Sequence, residues 1–324
     1  MLAAVLCAGA VCWCGASRAD SASVQAAERQ FNSGNYSGAI SALQPVVSQS
    51  PSNAEAYYWL GRSYYELRDF DNAVLNAEKS VSFDPNNSLY HQWLGRAYGE
   101  KADIDRSFSL ARKVKKEFQA AVSLNPSNIG ARRDLEEYCL DAPWIAGGSK
   151  DEALQQANAI ADLDPVAGHL AHALYDREAN KNNDQAESEY REILSVRSQD
   201  VDAYFEIAEF FQTQNKPADM AAAIEAAAQI RANDPRIAFY RGVQGVLANQ
   251  DLPGAEQNLK SYLASTPERS DWPSHALARV WLGKLCEAQG KRGEAAEQYR
   301  AALQMNPRQK EARARLEKLE KGSQ

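Results

Sequence analysis

Apolar residues recur through most of this chain at spacings of three and four, which is the pattern of a helix with one buried face. The clearest stretch, 54–87, reads as two such helical segments closed by a proline, and its key positions are Tyr57, Leu60, Gly61, Tyr64, Ala73 and Pro85. The small residues let the two segments approach closely, and Pro85 cannot continue a helix. The pattern therefore predicts a pair of amphipathic helices joined by a short turn.

The same helix pair returns along the chain with a regular period. A proline, or a residue in its place, closes each copy, at Pro51, Pro85, Pro126, Pro165, Ser198, Ala232, Pro267 and Pro307. Four of the seven intervals are 33 to 35 residues long, and the other three are 39 to 41. One helix pair cannot bury its apolar face alone, so repetition at this period predicts that neighbouring pairs stack.

The copies at 54–87, 88–128 and 276–309 share an apolar-x-x-Leu-Gly-x-x-Tyr motif or a close variant of it, and each is closed by a proline. This pattern resembles the tetratricopeptide repeat (TPR) family. The resemblance implies an all-α fold, a right-handed α-solenoid of about eight TPR helix-turn-helix repeats with a C-terminal capping helix. The repeats are predicted at 20–53, 54–87, 88–128, 129–165, 166–200, 201–234, 235–267 and 276–309, with the cap helix at 310–320.

No linker or low-complexity stretch interrupts residues 20–320, so we expect 20–324 to be a single solenoid domain. The segment 264–274 carries two prolines and several polar residues, which makes it a candidate hinge before the last repeat. Capping boxes are expected at Ser52 with Glu55 and at Ser149 with Glu152.

The first 19 residues differ in composition from the rest. An apolar run of small residues leads to Ser17-Arg18-Ala19, which resembles a secretory signal peptide with a cleavage site after Ala19. No Lys or Arg precedes the apolar run, so an uncleaved anchor and a cytoplasmic protein remain alternatives. We expect an exported protein, located in the bacterial periplasm, with no membrane span after signal cleavage.

The net charge and the motifs that the sequence lacks argue against several classes of function. The net charge of −7 argues against general nucleic-acid binding. No nucleotide, hydrolase or metal motif lies in a suitable context. Asp176 could supply a third metal ligand beside His169 and His172, but we expect these histidines to be an ordinary surface or core-edge pair. Since the repeats account for the chain, we expect no enzyme activity, no cofactor and no metal. Cys139 and Cys286, in different repeats, are expected to be buried free thiols.

In the TPR family the first helix of each repeat lines a concave groove that binds peptides. Transferred to this sequence, that resemblance predicts a peptide-binding groove formed by Tyr58, Trp59, Arg62, Tyr65, Gln92, Trp93, Arg96 and Arg133. Arginines flanked by aromatic residues suit a carboxylate. The alternative is that Arg62 and Arg96 pair with Glu66 and Glu100, four residues on in the same helix.

The carboxylate-clamping TPR domains of co-chaperones are similar in idea, but they use Lys and Asn where this chain has Arg, Tyr and Gln. Recognition of a chaperone tail therefore does not carry over. A second, more acidic candidate surface in the sixth repeat consists of Asp202, Phe205, Glu209 and Gln212.

Two repeats depart from the usual length. The third has an insert at 99–117 that is rich in Lys and Arg, at Arg106, Arg112, Lys113, Lys115 and Lys116. We expect longer helices with a solvated basic face; the alternative is a ridge for an anionic partner. The loop 141–150 in the fourth repeat carries Trp144 and Ile145, which we expect to fold back over the repeat junction, the alternative being an exposed contact point.

The predicted function is therefore an exported, non-enzymatic scaffold for protein–protein interaction. Its partner is expected to be a peptide segment or an envelope protein bound in the concave groove. The alternatives are a self-assembling structural subunit and an accessory subunit of an envelope polymer or enzyme complex.

Overall fold

The computed structural model describes residues 12–321, and in this range it has seventeen α-helices, one short 3₁₀ helix and no strand. The α-helices are α1 Cys12–Asn32, α2 Tyr36–Gln49, α3 Ala54–Glu66, α4 Phe70–Phe83, α5 Ser88–Asp105, α6 Phe108–Leu124, α7 Ile129–Asp141, α8 Lys150–Ala161, α9 Pro165–Glu178, α10 Asn183–Val196, α11 Val201–Thr213, α12 Pro217–Ile230, α13 Arg236–Ala248, α14 Leu252–Ser265, α15 His275–Ala288, α16 Arg292–Met305 and α17 Lys310–Lys321. The 3₁₀ helix is Trp144–Ala146.

These helices follow the predicted succession of pairs. Two helices lie within each predicted repeat, except that α1 begins before residue 20 and that α9 and α15 each begin one residue early, at Pro165 and His275. The single helix α17 comes last, with Ala312 fully buried against the core of the preceding pair. The predicted all-α fold of helical repeats with a C-terminal capping helix is therefore confirmed.

The chain divides between Asn182 and Asn183 into two compact units. Unit 1 contains α1–α9 and unit 2 contains α10–α17. The division falls inside the predicted fifth repeat, 166–200. A single continuous solenoid over 20–324 stays a prediction.

Aromatic and small side chains form the core of each unit. In unit 1, Phe31, Leu43 and Leu60 belong to an N-terminal cluster that α1–α5 share. A second cluster in unit 1 includes Phe118 and Cys139. In unit 2, Val280, Cys286 and Tyr299 pack with Ala312. Both Cys139 and Cys286 are buried free thiols, as predicted.

The two helices of a repeat lie close together where the first carries the motif glycine. A Cβ built on Gly95 of α5 lies 2.4 Å from the Phe118 ring of α6, and one on Gly283 of α15 lies 2.4 Å from the Tyr299 ring of α16. Carbon atoms do not approach this closely without displacement. The glycine of the sequence motif is therefore required because the aromatic ring of the second helix occupies the space of a side chain.

Of the two helix N-caps predicted from the sequence, the one at α8 is the predicted residue and the one at α3 is a different residue. Ser149 caps α8, since its hydroxyl accepts from the Glu152 amide at 3.3 Å. The second bond of the predicted box does not form, because the Ser149 amide donates to the Cys139 carbonyl at 2.9 Å. At α3 the cap is Asn53 and not Ser52, because the Asn53 side-chain oxygen accepts from the Ala56 amide at 3.0 Å. Asn53 stands directly before the helix, and its side chain reaches this amide, so the prediction of a Ser52 box was wrong.

The insert in the third repeat lengthens both of its helices, as expected. The helix α5 has 18 residues and α6 has 17, against 13 and 14 in α3 and α4. Within the insert, Lys115 pairs with Glu152 of α8 at 2.6 Å, while Arg112, Lys113 and Lys116 are exposed.

The loop between α7 and α8 is held firmly, but its apolar residues point outward. The Tyr138 hydroxyl lies 2.6 Å from the Ala111 carbonyl and 2.8 Å from the Ala146 carbonyl. Trp144 is nevertheless 85% exposed and Ile145 is 51% exposed. The expectation that they fold back over the junction was wrong, because Ala146, and not Trp144, takes the buried position in the 3₁₀ turn.

The predicted signal peptide at 1–19 lies largely outside the described residues; for residues 12–19 only the helical backbone is described. Within 12–321, no helix combines the length and the apolar character that a membrane crossing requires.

We predict that Gly95→Ala destabilises unit 1 and that Gly99→Ala does not. A Cβ at position 95 must displace the buried Phe118 ring, which should lower the unfolding free energy by about 1–2 kcal/mol. Position 99 lies on the same helix and has open space around it, so alanine there should be neutral or stabilise by up to about 1 kcal/mol. Urea denaturation followed by circular dichroism measures both; equal midpoints for the two variants would contradict the close-approach argument.

Candidate interaction surface

The eight residues of the predicted groove lie on three first helices of unit 1. Tyr58, Trp59, Arg62 and Tyr65 are on α3, Gln92, Trp93 and Arg96 on α5, and Arg133 on α7. We call the surface formed by these eight residues the first-helix face. Its members meet across repeats, since the Tyr65 ring lies 5.7 Å from the Trp93 ring. Their use in binding stays a prediction.

The guanidinium of Arg62 lies among four aromatic rings. Its central carbon is 4.2 Å from the ring centre of Trp93, 4.4 Å from Phe31, 4.9 Å from Trp59 and 5.5 Å from Tyr58. Its Nη1 also donates to the Tyr58 hydroxyl at 3.2 Å. Cation–π contacts of this kind stabilise a charge when water is partly excluded. The rings therefore fix the position and orientation of Arg62.

Arg62 has no carboxylate partner among residues 12–321. No acidic side chain there lies within 4.0 Å of its guanidinium, and its one side-chain hydrogen bond goes to a neutral phenol. The alternative predicted from sequence, a pair with Glu66, does not form. The cavity beside Arg62 has a volume of only about 10 Å³, which is room for a single water. The cavity therefore has no room for a group that would pair with this charge.

Arg96 occupies the corresponding position of the next repeat but forms an ion pair with a carboxylate. Its Nε and Nη2 donate to the two carboxylate oxygens of Asp134, at 2.7 and 3.0 Å. Gln92 donates to the same carboxylate at 2.7 Å. The predicted pair with Glu100 was wrong, because Asp134 on α7 faces Arg96 directly, while Glu100 accepts from the Tyr65 hydroxyl at 3.4 Å.

The ion pair determines the protonation of Arg96. Burial alone lowers the pKa of its guanidinium, but the charge and hydrogen bonds of Asp134 outweigh that effect and the pKa is raised. Arg96 is thus a charged structural link between α5 and α7 and not a free anion site.

The repeat register explains the difference between the two arginines. Each arginine comes three residues after a tryptophan in its own helix, Trp59 before Arg62 and Trp93 before Arg96. The side chain of each arginine contacts the first helix of the following repeat. The residue that it meets there aligns with the tryptophan of its own repeat. For Arg62 this neighbour is Trp93 of α5, and for Arg96 it is Asp134 of α7. The residue type at this one position of the following repeat therefore decides whether the arginine forms an ion pair.

The phenols of the first-helix face are neutral hydrogen-bonding groups at physiological pH. Burial raises the pKa of Tyr58, and the nearby Arg62 charge only partly offsets it. Burial also raises the pKa of Tyr65, with a further contribution from the Glu100 charge. Arg133, the eighth predicted residue, is half-buried on α7.

One of the four aromatic residues around Arg62 was not predicted from the sequence. Phe31 comes from α1, in the first repeat, which keeps mainly the second half of the motif. No motif position marks it. Its fully buried ring lies 5.3 Å from the Trp59 ring and 4.4 Å from Arg62. Only the regular apolar spacing of Val24, Ala27 and Phe31 indicated an inward-facing residue there.

The second candidate surface lies on α11 in unit 2. There Asp202 pairs with Arg236 at 2.6 Å, and the Arg236 guanidinium lies 4.2 Å from the Phe205 ring centre. These two residues are therefore used within the fold. Glu209 and Gln212, one and two turns further along the helix, line an open cavity.

Comparison with known proteins agrees with this architecture. The family model for the tetratricopeptide repeat matches residues 24–88 in unit 1 and 240–310 in unit 2. With the helix pairs described above, these matches show that the chain contains tetratricopeptide repeats in both units. Proteins with this fold are generally non-enzymatic scaffolds for protein–protein interaction. No curated protein matches the sequence.

Solved structures are similar in fold at low sequence identity. A tetratricopeptide repeat protein from Parabacteroides merdae ATCC 43184 aligns with 93% of this chain and 98% of its own, at 16% identity and a TM-score of 0.53. The Cut9–Hcn1 hetero-tetramer of the APC/C aligns with 94% of this chain and 56% of its own, at 12% identity and a TM-score of 0.51. At these identities the likeness shows the fold alone.

We predict that Asp134→Ala destabilises unit 1 far more than Asp71→Ala. The Asp134 side chain is 13% exposed and accepts from Arg96 and Gln92, so its loss should cost about 2–3 kcal/mol of unfolding free energy. Asp71 also forms an ion pair, with Lys101, but its side chain is 79% exposed, and its loss should cost less than about 1 kcal/mol. Chemical denaturation distinguishes the two; a similar loss for both would remove the structural role assigned to Asp134.

Proposed function

We propose that this protein is an exported scaffold whose first-helix face binds a peptide segment or an envelope protein through a carboxylate held by Arg62. The observation that carries the proposal is the state of that one side chain. Arg62 is oriented by four rings and has no acidic partner among the described residues, whereas Arg96 forms a two-bond ion pair with Asp134.

The donors of Arg62 suit a carboxylate. Within the described part of the chain only Nη1 of this half-buried side chain has a hydrogen-bond partner, so Nη2 and the buried Nε have none. A guanidinium forms its strongest hydrogen bonds with a carboxylate because the two planar groups match in a fork. The rings around it exclude water on the protein side, so the interaction is less screened than at an open surface.

The shape of the surface favours a peptide or a protein surface over a small molecule. Binding sites for small molecules are usually cavities of about 300–1,000 Å³ that enclose the ligand. The cavity next to Arg62 is only about 10 Å³, because Tyr58, Tyr65 and Trp93 fill the space. A partner therefore lies across α3 and α5, with the aromatic side chains as rigid apolar contacts beside the charge.

Export is the second part of the proposal and rests on the apolar leader-like run at 1–19 with small residues at 17 and 19. An exported scaffold meets its partners in the cell envelope. The partner should accordingly be recovered from an envelope extract.

We predict that Arg62→Ala reduces capture of this partner by about tenfold or more, because a hydrogen-bonded charge pair contributes about 1.5–3 kcal/mol. The full chain with its own leader is expressed, purified from the envelope fraction and used for pull-down with quantitative mass spectrometry. An intact mass that lacks residues 1–19 is expected for the exported form.

The matched control is Arg112→Ala, which removes the same charge from the exposed face of α6. Retention of the partner by Arg62→Ala together with its loss in Arg112→Ala would contradict the proposal. That result would favour the alternative of a basic ridge that binds an anionic polymer.

A second candidate function, self-assembly, is favoured by the exposed tip of the loop between α7 and α8. Trp144 is 85% exposed although hydrogen bonds fix the loop around it. A large apolar side chain held in water on an ordered loop marks a contact point for another surface.

If the chain self-associates through this loop, Trp144→Ser should shift it to the monomer mass in light scattering. Leu75→Ser is the matched control, because Leu75 is also exposed, at 48%, but lies on α4. A wild-type chain that is monomeric at high concentration would exclude this second candidate.

A further inference from the structure

The loop between α7 and α8 is fixed against α6 in unit 1. The Tyr138 hydroxyl lies 2.6 Å from the Ala111 carbonyl of α6 and 2.8 Å from the Ala146 carbonyl of the loop. One turn further along α6, Lys115 donates to the Gly147 carbonyl at 2.6 Å. Exposed residues of the loop and of this part of α6 therefore belong to one continuous surface.

Three large apolar side chains on this surface face water. Trp144 and Ile145 of the loop are each more than half exposed, and so is Phe108, which begins α6 one turn before the carbonyl that faces the loop. The same helix buries Val114 and Phe118 instead. Large apolar side chains that an ordered backbone holds in water mark a contact surface.

The surface is also basic, although the whole chain carries a net charge of −7. Positions 106–116 hold five basic residues and no acidic residue. Lys115 is paired with Glu152 at 2.6 Å. Arg106 and Lys116, in contrast, are exposed and have no hydrogen bond or ion pair with any residue within 12–321. Their charges are therefore available to a partner.

The acidic residues that flank this stretch are engaged elsewhere in unit 1. Asp105, directly before it, pairs with Lys101 at 3.0 Å, and Asp103 also has a partner. Burial raises the pKa of Asp141 at the end of α7, and the charge of Arg177 on α9 partly offsets that rise. The Asp141 carboxylate thus faces α9. We call the surface formed by Arg106, Phe108, Lys116, Trp144 and Ile145 the α6–loop surface.

We propose that the α6–loop surface binds the headgroup region of a lipid bilayer that contains anionic lipids. Tryptophan is favoured at this depth of a bilayer because its ring is apolar and its N–H is polar. The exposed apolar side chains reach the boundary of the acyl chains, while Arg106 and Lys116 meet the lipid phosphates. The proposal goes beyond the peptide site at Arg62 and does not depend on it.

The combination of apolar and basic side chains favours a bilayer over two other occupants. A soluble polyanion would pair with the cations but would leave Trp144 and Ile145 in water. A second copy of the chain in an isologous contact would bring the same positive charges together, which is unfavourable. An anionic bilayer satisfies both the apolar and the basic side chains.

The test is co-sedimentation of the full chain with vesicles of phosphatidylcholine, with and without phosphatidylglycerol. Binding to the neutral vesicles gives the background, which includes any contribution of the apolar run at 1–19. We expect the partition coefficient to be about tenfold or more higher on the anionic vesicles, since each basic residue near an anionic surface adds to the affinity. Added salt should bring it back towards the background, because salt screens exposed charges.

Arg106→Gln should weaken binding to the anionic vesicles about fivefold, which corresponds to about 1 kcal/mol for one basic residue at such a surface. The matched control is Arg197→Gln in unit 2, which should leave binding unchanged. Arg197 is likewise exposed and has the same left-handed backbone conformation, with φ 51° against 50° at Arg106.

Trp144→Ser should weaken binding about tenfold, because it removes the largest apolar contact, whereas Leu75→Ser on the exposed side of α4 should not. Vesicles with brominated acyl chains quench the fluorescence of tryptophans that reach the bilayer. Trp144→Phe keeps a large apolar side chain, so this variant should still bind but show weaker quenching than the wild type.

Three results would each overturn the proposal. The first is equal binding to neutral and anionic vesicles. The second is equal binding by the wild type and Trp144→Ser, which would mean that charge alone attracts the chain. The third is a Trp144→Ser variant that loses an oligomer in light scattering while its vesicle binding stays unchanged, which would assign Trp144 to self-association.

Discussion

The structure depends on one constraint, which is that a single pair of amphipathic helices cannot cover its own apolar face. Neighbouring first helices must therefore pack on one another, and within each pair the helices must approach closely. In unit 1 the first requirement places Tyr58 against Tyr90 and Tyr65 against Trp93. The second places the ring of Phe118 where a side chain at Gly95 would lie. Polar side chains on the packed first helices must then either form hydrogen bonds or ion pairs with the neighbouring repeat or stay without such a partner.

Arg96 forms an ion pair with the neighbouring repeat, and Arg62 does not. They hold equivalent positions in successive repeats, and each faces the next first helix. The facing residue is Trp93 in one case and Asp134 in the other. An aromatic neighbour fixes a guanidinium without neutralising it, whereas a carboxylate neutralises it and links the helices. The two repeats thus place their arginines in the same way. With Asp134 opposite, the arginine forms a structural ion pair; with Trp93 opposite, its charge has no carboxylate partner within the described residues.

The fold could be predicted from the sequence because its determinants are local and repeated. The glycine at position 95, the prolines between pairs and the apolar spacing each act within one helix pair. The contacts of the candidate site are different, since they join residues about 30 to 40 positions apart, as in the bond from Arg96 to Asp134. Reasoning within one helix favoured Glu100 instead. Phe31 was missed because its repeat lacks the motif, and the outward position of Trp144 depends on which residue of a short turn is buried.

The most direct test of the central claim, that a partner lies on the first-helix face of unit 1, is site-specific photocrosslinking. Gly99→p-benzoylphenylalanine places the probe one turn beyond Arg96, at the slot equivalent to Tyr65, where nothing lies within 4 Å of an added Cβ. Leu75→p-benzoylphenylalanine places it on the exposed side of α4. The account predicts a covalent adduct from position 99 and none from position 75. An adduct from position 75 with none from position 99 would contradict it.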